Sequence, residues 1–150
     1  NGTGGVTISG FTFPVSDGSS GQFIKTDGLG TLSFASAGAT LSHSDLADAT
    51  TTVATSTTST LNTFDKTVYR SAKYFISITD STNSRFEIVE ANVTHDGSDA
   101  YVSTFGSTTN YTGGLCIFTA DMSGNDVRLR VTNISDASTV FKFQRIAVDI

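Results

Sequence analysis

Apolar and polar residues alternate with a period of two along much of the chain from position 66 onward. In residues 72–78 the even positions are apolar, and in residues 126–132 the odd positions are apolar while Arg128 and Arg130 lie between them. Such alternation marks a strand with one buried face. Turns rich in Asp, Asn, Gly and Ser separate these runs about every ten residues, so we predict about six or seven strands and an all-β fold, an antiparallel β-sandwich.

The phase of this alternation changes at two places. Before position 88 the even positions are apolar, but from Val89 onward the odd positions are. A second change follows Gln144 and Arg145. A strand can bury both sets only if one extra residue is inserted, so we predict β-bulges at residues 88–89 and 144–145.

Glycine is concentrated at the start of the chain, where residues 1–40 hold nine of the 14 glycines. Two β-prone runs, 22–26 and 31–34, flank Asp27 and Gly28, and an Asp-Gly pair in this position is a hairpin signal. A lone hairpin with so few apolar residues does not bury enough surface to be stable. We therefore expect this Gly-rich hairpin region, residues 1–40, to need a neighbour, either elsewhere in this chain or in another copy of it.

The following segment is dominated by Ser, Thr and Ala. We predict a linker over residues 41–60, with a helix of about two turns within 42–49 capped by a serine. The β-sandwich domain is predicted over residues 61–150. Because the chain begins at Asn1 and not at Met, we expect it to be processed or to be the end of a longer polypeptide.

Composition and charge exclude several classes of protein. The chain has nine Lys and Arg residues and a net charge of −5, which predicts no nucleic-acid-binding surface. No apolar run approaches the ~18 residues of a membrane helix, so no membrane partner is expected. Cys116 is the single cysteine and there is no tryptophan. The Trp and paired cysteines of immunoglobulin domains are thus missing, which favours a jelly-roll-like sandwich.

Glu87 and Glu90 are the only glutamates and are candidates for the carboxylate pair of a glycosidase. With a bulge at residues 88–89 both would project from the outer face of the sheet, where a solvated strand surface is the better interpretation. His95, Asp96 and Ser98 crowd one turn, whereas a catalytic triad is assembled from separate elements. We predict no catalytic residues and no enzymatic activity.

No cofactor or metal site is predicted from the sequence. Two histidines and one cysteine are too few for a typical transition-metal cluster. Calcium binding by the acidic turns remains open, because those turns combine carboxylates and carbonyl oxygens; they contain Asp96, Asp99, Asp121, Asn125 and Asp126. Asp and Asn are also favoured in turns for local reasons.

Three aromatic residues are candidates for a ligand-contact surface. Tyr101, Phe105 and Tyr111 lie in a predicted strand and the loop that follows it. Aromatic rings stack on sugars, although aromatic residues in strands more often belong to the core. These three residues are the candidate ligand-contact residues that the sequence provides.

Two stretches of the chain, together about three quarters of its length, resemble virion structural proteins of tailed bacteriophages. Residues 13–34 (FPVSDGSSGQFIKTDGLGTLSF) resemble a module common in tail fibres, where such segments often occur in homotrimers. This resemblance implies that the hairpin region, residues 1–40, serves attachment or trimerisation. Residues 61–150 are similar to a domain common in structural proteins of marine and cyanobacterial phages. The segments that carry this second resemblance are 69–75 (YRSAKYF), 93–97 (VTHDG), 100–101 (AY), 120–124 (ADMSG), 127–132 (VRLRVT) and 140–146 (VFKFQRI).

The resemblance implies a non-enzymatic structural protein of the virion: a tail fibre, a spike or a capsid decoration exposed on the particle. Its expected partners are two further copies in a homotrimer, other virion proteins and, in host attachment, a host-surface glycan. The alternative is a carbohydrate-binding β-sandwich that recognises such a glycan.

Overall fold

The computed structural model describes residues 6–36 and 41–150, and every regular element among them is a β-strand. The chain divides into two compact units, residues 1–40 and residues 41–150. The strands are, in chain order, β1 (Thr7–Ile8), β2 (Phe11–Thr12), β3 (Gln22–Thr26), β4 (Leu32–Ser36), β5 (Ser44–Val53), β6 (Thr58–Asp65), β7 (Tyr69–Asp80), β8 (Arg85–His95), β9 (Ala100–Thr109), β10 (Cys116–Ser123), β11 (Asp126–Asn133) and β12 (Thr139–Asp149).

The first unit contains two short antiparallel hairpins, β1-β2 and β3-β4. They meet where the Thr12 amide donates to the carbonyl oxygen of Gly30 at 2.8 Å, next to a bridge between Thr12 and Thr31. Gly30 has a φ of +95°, and a Cβ on it would lie 2.7 Å from the carbonyl oxygen of Gly10. A side chain therefore does not fit at this crossing of the two hairpins.

The second unit is built from two antiparallel sheets. One has five strands in the order β5-β12-β7-β8-β9, and the other has three in the order β10-β11-β6. The arrangement β12-β7-β8-β9 is the Greek-key order of three hairpin-connected strands with a returning fourth. The prediction of an all-β antiparallel sandwich is confirmed, and Greek keys are the units of a jelly roll.

A single core lies between the two sheets. Tyr74, Ile76, Leu129 and Phe141 are each fully buried in it, and the first two belong to the strand whose alternation was clearest in the sequence. Most of the remaining buried apolar residues alternate along the strands in the same manner. The full set is Val53, Leu61, Phe64, Ala72, Ile78, Val89, Ala91, Val93, Leu115, Val127, Val131, Phe143 and Ala147.

The predicted linker over residues 41–60 and the helix within it are wrong. Ser44–Val53 forms strand β5, paired along its length with β12. After Asp45 the inward positions of β5 are small or β-branched, and they end at Val53, which is 1% exposed. Threonine favours an extended backbone, so a segment with few apolar residues still forms a strand when a neighbour pairs with it.

The predicted bulges are also corrected. Strand β8 pairs without interruption with β7, and the irregularity near Ile88 arises because β9 carries the extra residue opposite Val89. At residues 144–145 the pairing of β12 is continuous with both neighbours. There the phase change is accommodated by burying Arg145 and exposing Ile146.

Arg145 is stabilised in the interior by groups from other strands. Its guanidinium donates to the side-chain oxygen of Asn62 at 3.0 Å and to the carbonyl oxygen of Thr63 at 2.9 Å, and it pairs with Asp45. The Tyr74 hydroxyl donates to the same Asn62 oxygen. Burial raises the pKa of Tyr74 far above its ordinary value, with the Arg145 charge opposing the shift.

Candidate functional site

The outer face of the five-stranded sheet carries an unusual number of apolar side chains. Seven of them are between 41% and 54% exposed, and together they define what we call the apolar face: Leu46, Phe75, Phe86, Tyr101, Phe105, Ile146 and Val148. Side chains at paired positions of an antiparallel sheet share a face, which places these residues side by side. Leu46 pairs with Ile146, and Tyr101 lies on the same face two positions before Ser103.

Charged residues on the apolar face balance one another. Lys73 on β7 forms an ion pair with Glu90 on β8 at 2.5 Å, and its ammonium nitrogen lies 5.4 Å from the centre of the Phe105 ring. Asp48 on β5 and Lys142 on β12 add one charge of each sign. The face is therefore electrically neutral, although the chain as a whole carries −5.

Two shallow depressions lie side by side on this face. One has a volume of about 410 Å³ and is lined by Leu46, Phe75 and Gln144, among others. The other, of about 600 Å³, lies toward Tyr101 and Asn92. Lys73 and Ile146 line both.

The outer face of the three-stranded sheet has a different chemistry. Arg128 donates to both carboxylate oxygens of Asp121, at 2.6 and 2.8 Å, and Arg130 contacts the same carboxylate. Threonines occupy most of the neighbouring positions, and Ile117 is the exposed large apolar residue there. Only one of the two outer faces is thus apolar.

Tyr101 and Phe105 lie on the same face of β9, as both pair with outward positions of β8. The Tyr101 hydroxyl donates to Asp96 at 2.9 Å. Asp96 also accepts from the amides of Asp99 and Ser98, and these hydrogen bonds lower the pKa of Asp96 to about 2, the Asp99 amide contributing most. The hydrogen bond to Asp96 in turn raises the pKa of Tyr101.

Tyr111 is not part of this group. It follows β9, and its ring is covered by the guanidinium of Arg85, 3.9 Å from the ring centre. Arg85 is the first residue of β8, whereas the partner of Tyr101 is Thr94 near the other end, so about 30 Å of strand separate the two tyrosines. The structure therefore brings together two of the three predicted aromatic residues.

Glu87 and Glu90 lie on opposite faces of β8. Glu90 is on the outer face, but Glu87 points toward the inside, where it accepts hydrogen bonds from the Leu115 amide at 2.7 Å and the Ser107 hydroxyl at 2.9 Å. The expectation that both project outward is wrong, because β8 itself has no bulge. The two carboxylates do not face each other.

The other candidate groups have local partners. The His95 ring is buried and its Nε2 contacts the carbonyl oxygen of Tyr69 at 2.9 Å, while Asp96 is bonded within its own turn. Among residues 6–36 and 41–150 no three His, Cys, Asp or Glu side chains form a group suited to a metal ion. The same residues contain no helix long and apolar enough to cross a membrane.

The first unit also exposes apolar residues. None of the residues described between positions 6 and 36 is buried. Phe23 and Ile24 are consecutive in β3 and so point to opposite sides of the hairpin, yet they are 47% and 48% exposed. Each side of this hairpin therefore presents a half-exposed apolar side chain.

Sequence reasoning missed most of the apolar face. The helix predicted within residues 42–49 includes Leu46, and the bulge predicted at 144–145 would turn Ile146 and Val148 toward the core. The local sequence gives no signal for this outcome, because the apolar positions of β12 change phase at residues 144–145 and the acceptors of Arg145 come from another strand.

The chain matches no protein-family model and no curated protein. The solved structures to which it is similar include three bacteriophage tailspike proteins. The first is from Acinetobacter baumannii phage AM24, with 11% identity, a TM-score of 0.47, and coverage of 71% of this chain and 26% of that one. The second is from Acinetobacter phage vB_ApiP_P1, with 17% identity, a TM-score of 0.38, and coverage of 74% and 22%.

The third similar structure is the tailspike protein gp49 of Acinetobacter baumannii bacteriophage Fri1, described as a capsular polysaccharide depolymerase. It has 16% identity, a TM-score of 0.36, and coverage of 71% of this chain and 18% of that one. The chain thus spans about a quarter or less of the length of these proteins. The prediction that the chain is not an enzyme is corrected by this comparison, because one of the similar proteins is described as a depolymerase.

Proposed function

We propose that this chain is a structural component of a bacteriophage tail appendage, a tail fibre or a spike, that assembles as a homotrimer on the surface of the virion. A capsid decoration protein with the same fold is the alternative position on the particle. Because residues 61–150 resemble structural proteins of marine and cyanobacterial phages, we propose that the virion is that of such a phage. Other virion proteins are the expected neighbours of the trimer.

The observation that carries this proposal is the exposed apolar surface of the hairpin β3-β4 in the first unit. Phe23 and Ile24 expose about half of their surface on opposite sides of β3, and no residue described between 6 and 36 is buried. A two-stranded hairpin is marginally stable at best in water. Further copies of the same chain can supply the missing apolar contacts, and closed symmetry is the usual arrangement of identical chains.

Sedimentation of the full chain tests the proposal. We expect a species of three times the 15.7 kDa chain mass, and we expect Ile24→Glu to shift the equilibrium toward the monomer. The control is Ser20→Glu, which adds the same charge in the exposed turn before β3. A wild-type chain that remains monomeric at high concentration would contradict the proposal.

A second candidate function is the recognition of a host-surface glycan during attachment. Tyr101 and Phe105 present half-exposed rings on one face of β9, and Asn92 and Ser103 lie beside them with an amide and a hydroxyl group. Rings for stacking and polar groups for hydrogen bonds are the chemistry that sugars require. Tyr111, about 30 Å away, is proposed as a contact for a polysaccharide long enough to reach it.

Binding to an array of bacterial surface glycans tests this second function. Tyr101→Ala should lower binding to any recognised glycan, and Tyr111→Ala should lower it only when the glycan is long. Ile117→Ala on the other sheet is the control and should have no effect. An array without signal, or binding that survives Tyr101→Ala and Phe105→Ala together, would exclude this role.

A further inference from the structure

We infer that the apolar face of the five-stranded sheet is buried against a second copy of this chain. The inference rests on the proposed function, in which copies of the chain are held together, and it specifies the surface that holds them. It depends on residues 41–150 and not on the hairpins of the first unit.

The composition of the face is the first argument. Leu46, Phe75, Ile146 and Val148 each expose close to half of their surface on adjacent strands. Contiguous exposed apolar patches of more than a few hundred Å² mark interaction sites in soluble proteins. The outer face of the other sheet, with its threonines and paired arginines, shows that this chain does not need apolar residues on an outer face to form a sandwich.

The size of the face is the second argument. Five strands spaced about 4.8 Å apart and about ten residues long at ~3.4 Å per residue cover on the order of 800 Å², polar positions of the outer face included. A stable protein–protein interface buries about 800 Å² on each partner. The face therefore has the area that one copy needs to bind another.

The charge of the face favours a second copy over a foreign partner. Lys73 and Lys142 are balanced by Glu90 and Asp48, so the face is neutral in a chain of net charge −5. The net negative charge of each copy lies outside this face. Two copies therefore repel each other through the rest of their surfaces, but the neutral face adds no repulsion. A strongly basic or acidic partner, in contrast, would find no complementary charge on this face.

Matched isoleucines on the two sheets provide the test. Ile146 on the apolar face is 49% exposed and Ile117 on the other outer face is 53% exposed. We expect Ile146→Lys to weaken self-association at least about tenfold in sedimentation equilibrium, because it places an unpaired charge in a desolvated contact. We expect Ile117→Lys to leave self-association unchanged, and both variants to keep the circular dichroism of the wild type.

The outcomes separate this inference from the proposed function. A wild-type chain that is monomeric at all concentrations overturns both. A wild-type oligomer that is equally stable in Ile146→Lys and in Ile117→Lys overturns the inference alone and leaves assembly through the first unit.

Labelling of an introduced thiol gives a second, independent measurement. Ser77 lies on the central strand of the face and Thr60 lies on the other outer face, and both are exposed. In a Cys116→Ser background, we expect a maleimide to label Ser77→Cys several-fold more slowly as the protein concentration rises, while labelling of Thr60→Cys stays constant. Protection that requires added polysaccharide instead of a higher protein concentration would overturn the inference, since a glycan would then be the occupant.

Discussion

The carboxylate of Glu87 accepts a hydrogen bond from the buried amide of Leu115 at 2.7 Å. Its second oxygen accepts from the Ser107 hydroxyl. One inward side chain of β8 thus fixes both the end of β9 and the start of β10, where the chain crosses from the five-stranded sheet to the three-stranded one. This contact accounts for a glutamate at a position that the sequence pattern assigns to the solvent.

Replacing Glu87 should destabilise the sandwich. In Glu87→Ala the amide of Leu115, a fully buried residue, loses its acceptor, and an unsatisfied buried group costs about 1–3 kcal/mol. Urea unfolding followed by circular dichroism measures the change. Glu90→Ala is the matched control, as it removes a partly exposed ion pair worth about 0–1 kcal/mol. Equal losses in the two variants would contradict the role given to Glu87.

Gly30→Ala should loosen the first unit. Alanine at this position suffers both a positive φ and a Cβ placed 2.7 Å from the carbonyl oxygen of Gly10. Gly28 also has a positive φ, +79°, but its Cβ would meet nothing within 4 Å, so Gly28→Ala separates the two effects. We expect hydrogen exchange of the amides in residues 6–36 to be faster in Gly30→Ala than in Gly28→Ala. The same rate in both would show that the contact with Gly10 is unimportant.

Asp96 should contribute to stability above pH 4 and lose that contribution in acid. Its pKa of about 2 in the folded state lies below the value of about 3.9 for an unfolded chain, so folding favours the ionised form. The contribution is complete above the unfolded pKa and disappears as the pH falls from about 4 through about 2. We expect Asp96→Asn to show a shallower loss of unfolding free energy over that interval.

The hydrogen bond from Tyr101 can be tested through the same carboxyl group. In an NMR titration Tyr101→Phe should raise the pKa of Asp96 from about 2, because one of its donors is removed. Tyr111→Phe, which removes a hydroxyl far from this turn, should leave that pKa where it is. A pKa of Asp96 that is the same in both variants would show that the backbone amides alone set it.

Cys116 should be nearly inert in the folded protein. Burial, and secondarily the charge of Glu87, raises the pKa of its thiol well above the ordinary range, so little thiolate forms near pH 8. Iodoacetamide should modify the native chain slowly and the urea-unfolded chain quickly. Rapid modification of the native chain would mean that the region around β10 opens readily.

The sequence pattern was sufficient where burial follows simple alternation. Tyr74 and Leu129 lie in runs with apolar residues at every second position, and both are fully buried as predicted. The sequence pattern failed at Arg145, which it did not place in the core. Nothing in the local pattern shows that Asn62 and Thr63, more than 80 residues earlier, supply acceptors for a buried guanidinium. Non-local hydrogen bonds of this kind decide which of two possible faces is buried.

The candidate site was predicted only in part for the same reason. Tyr101 and Phe105 were singled out as possible contact residues, and they share the outer face of β9. Leu46 was not singled out as a contact residue, because its strand has few apolar residues and is identified only by its pairing with β12. A hydrophobic surface that forms between strands distant in sequence leaves no continuous signal along the chain.

Among the strands of the described residues, β5 has a hydrogen-bonded neighbour on one side only, that of β12. Its ten residues include no proline or lysine, and Thr50, Thr51 and Thr52 favour an extended backbone. In a newly synthesised chain the open edge of β5 therefore exposes backbone amides and carbonyl oxygens that can form hydrogen bonds with another extended peptide. The yield of soluble protein should accordingly depend on how quickly the edge of β5 is covered. We expect slow synthesis at low temperature to give more soluble protein than rapid synthesis does.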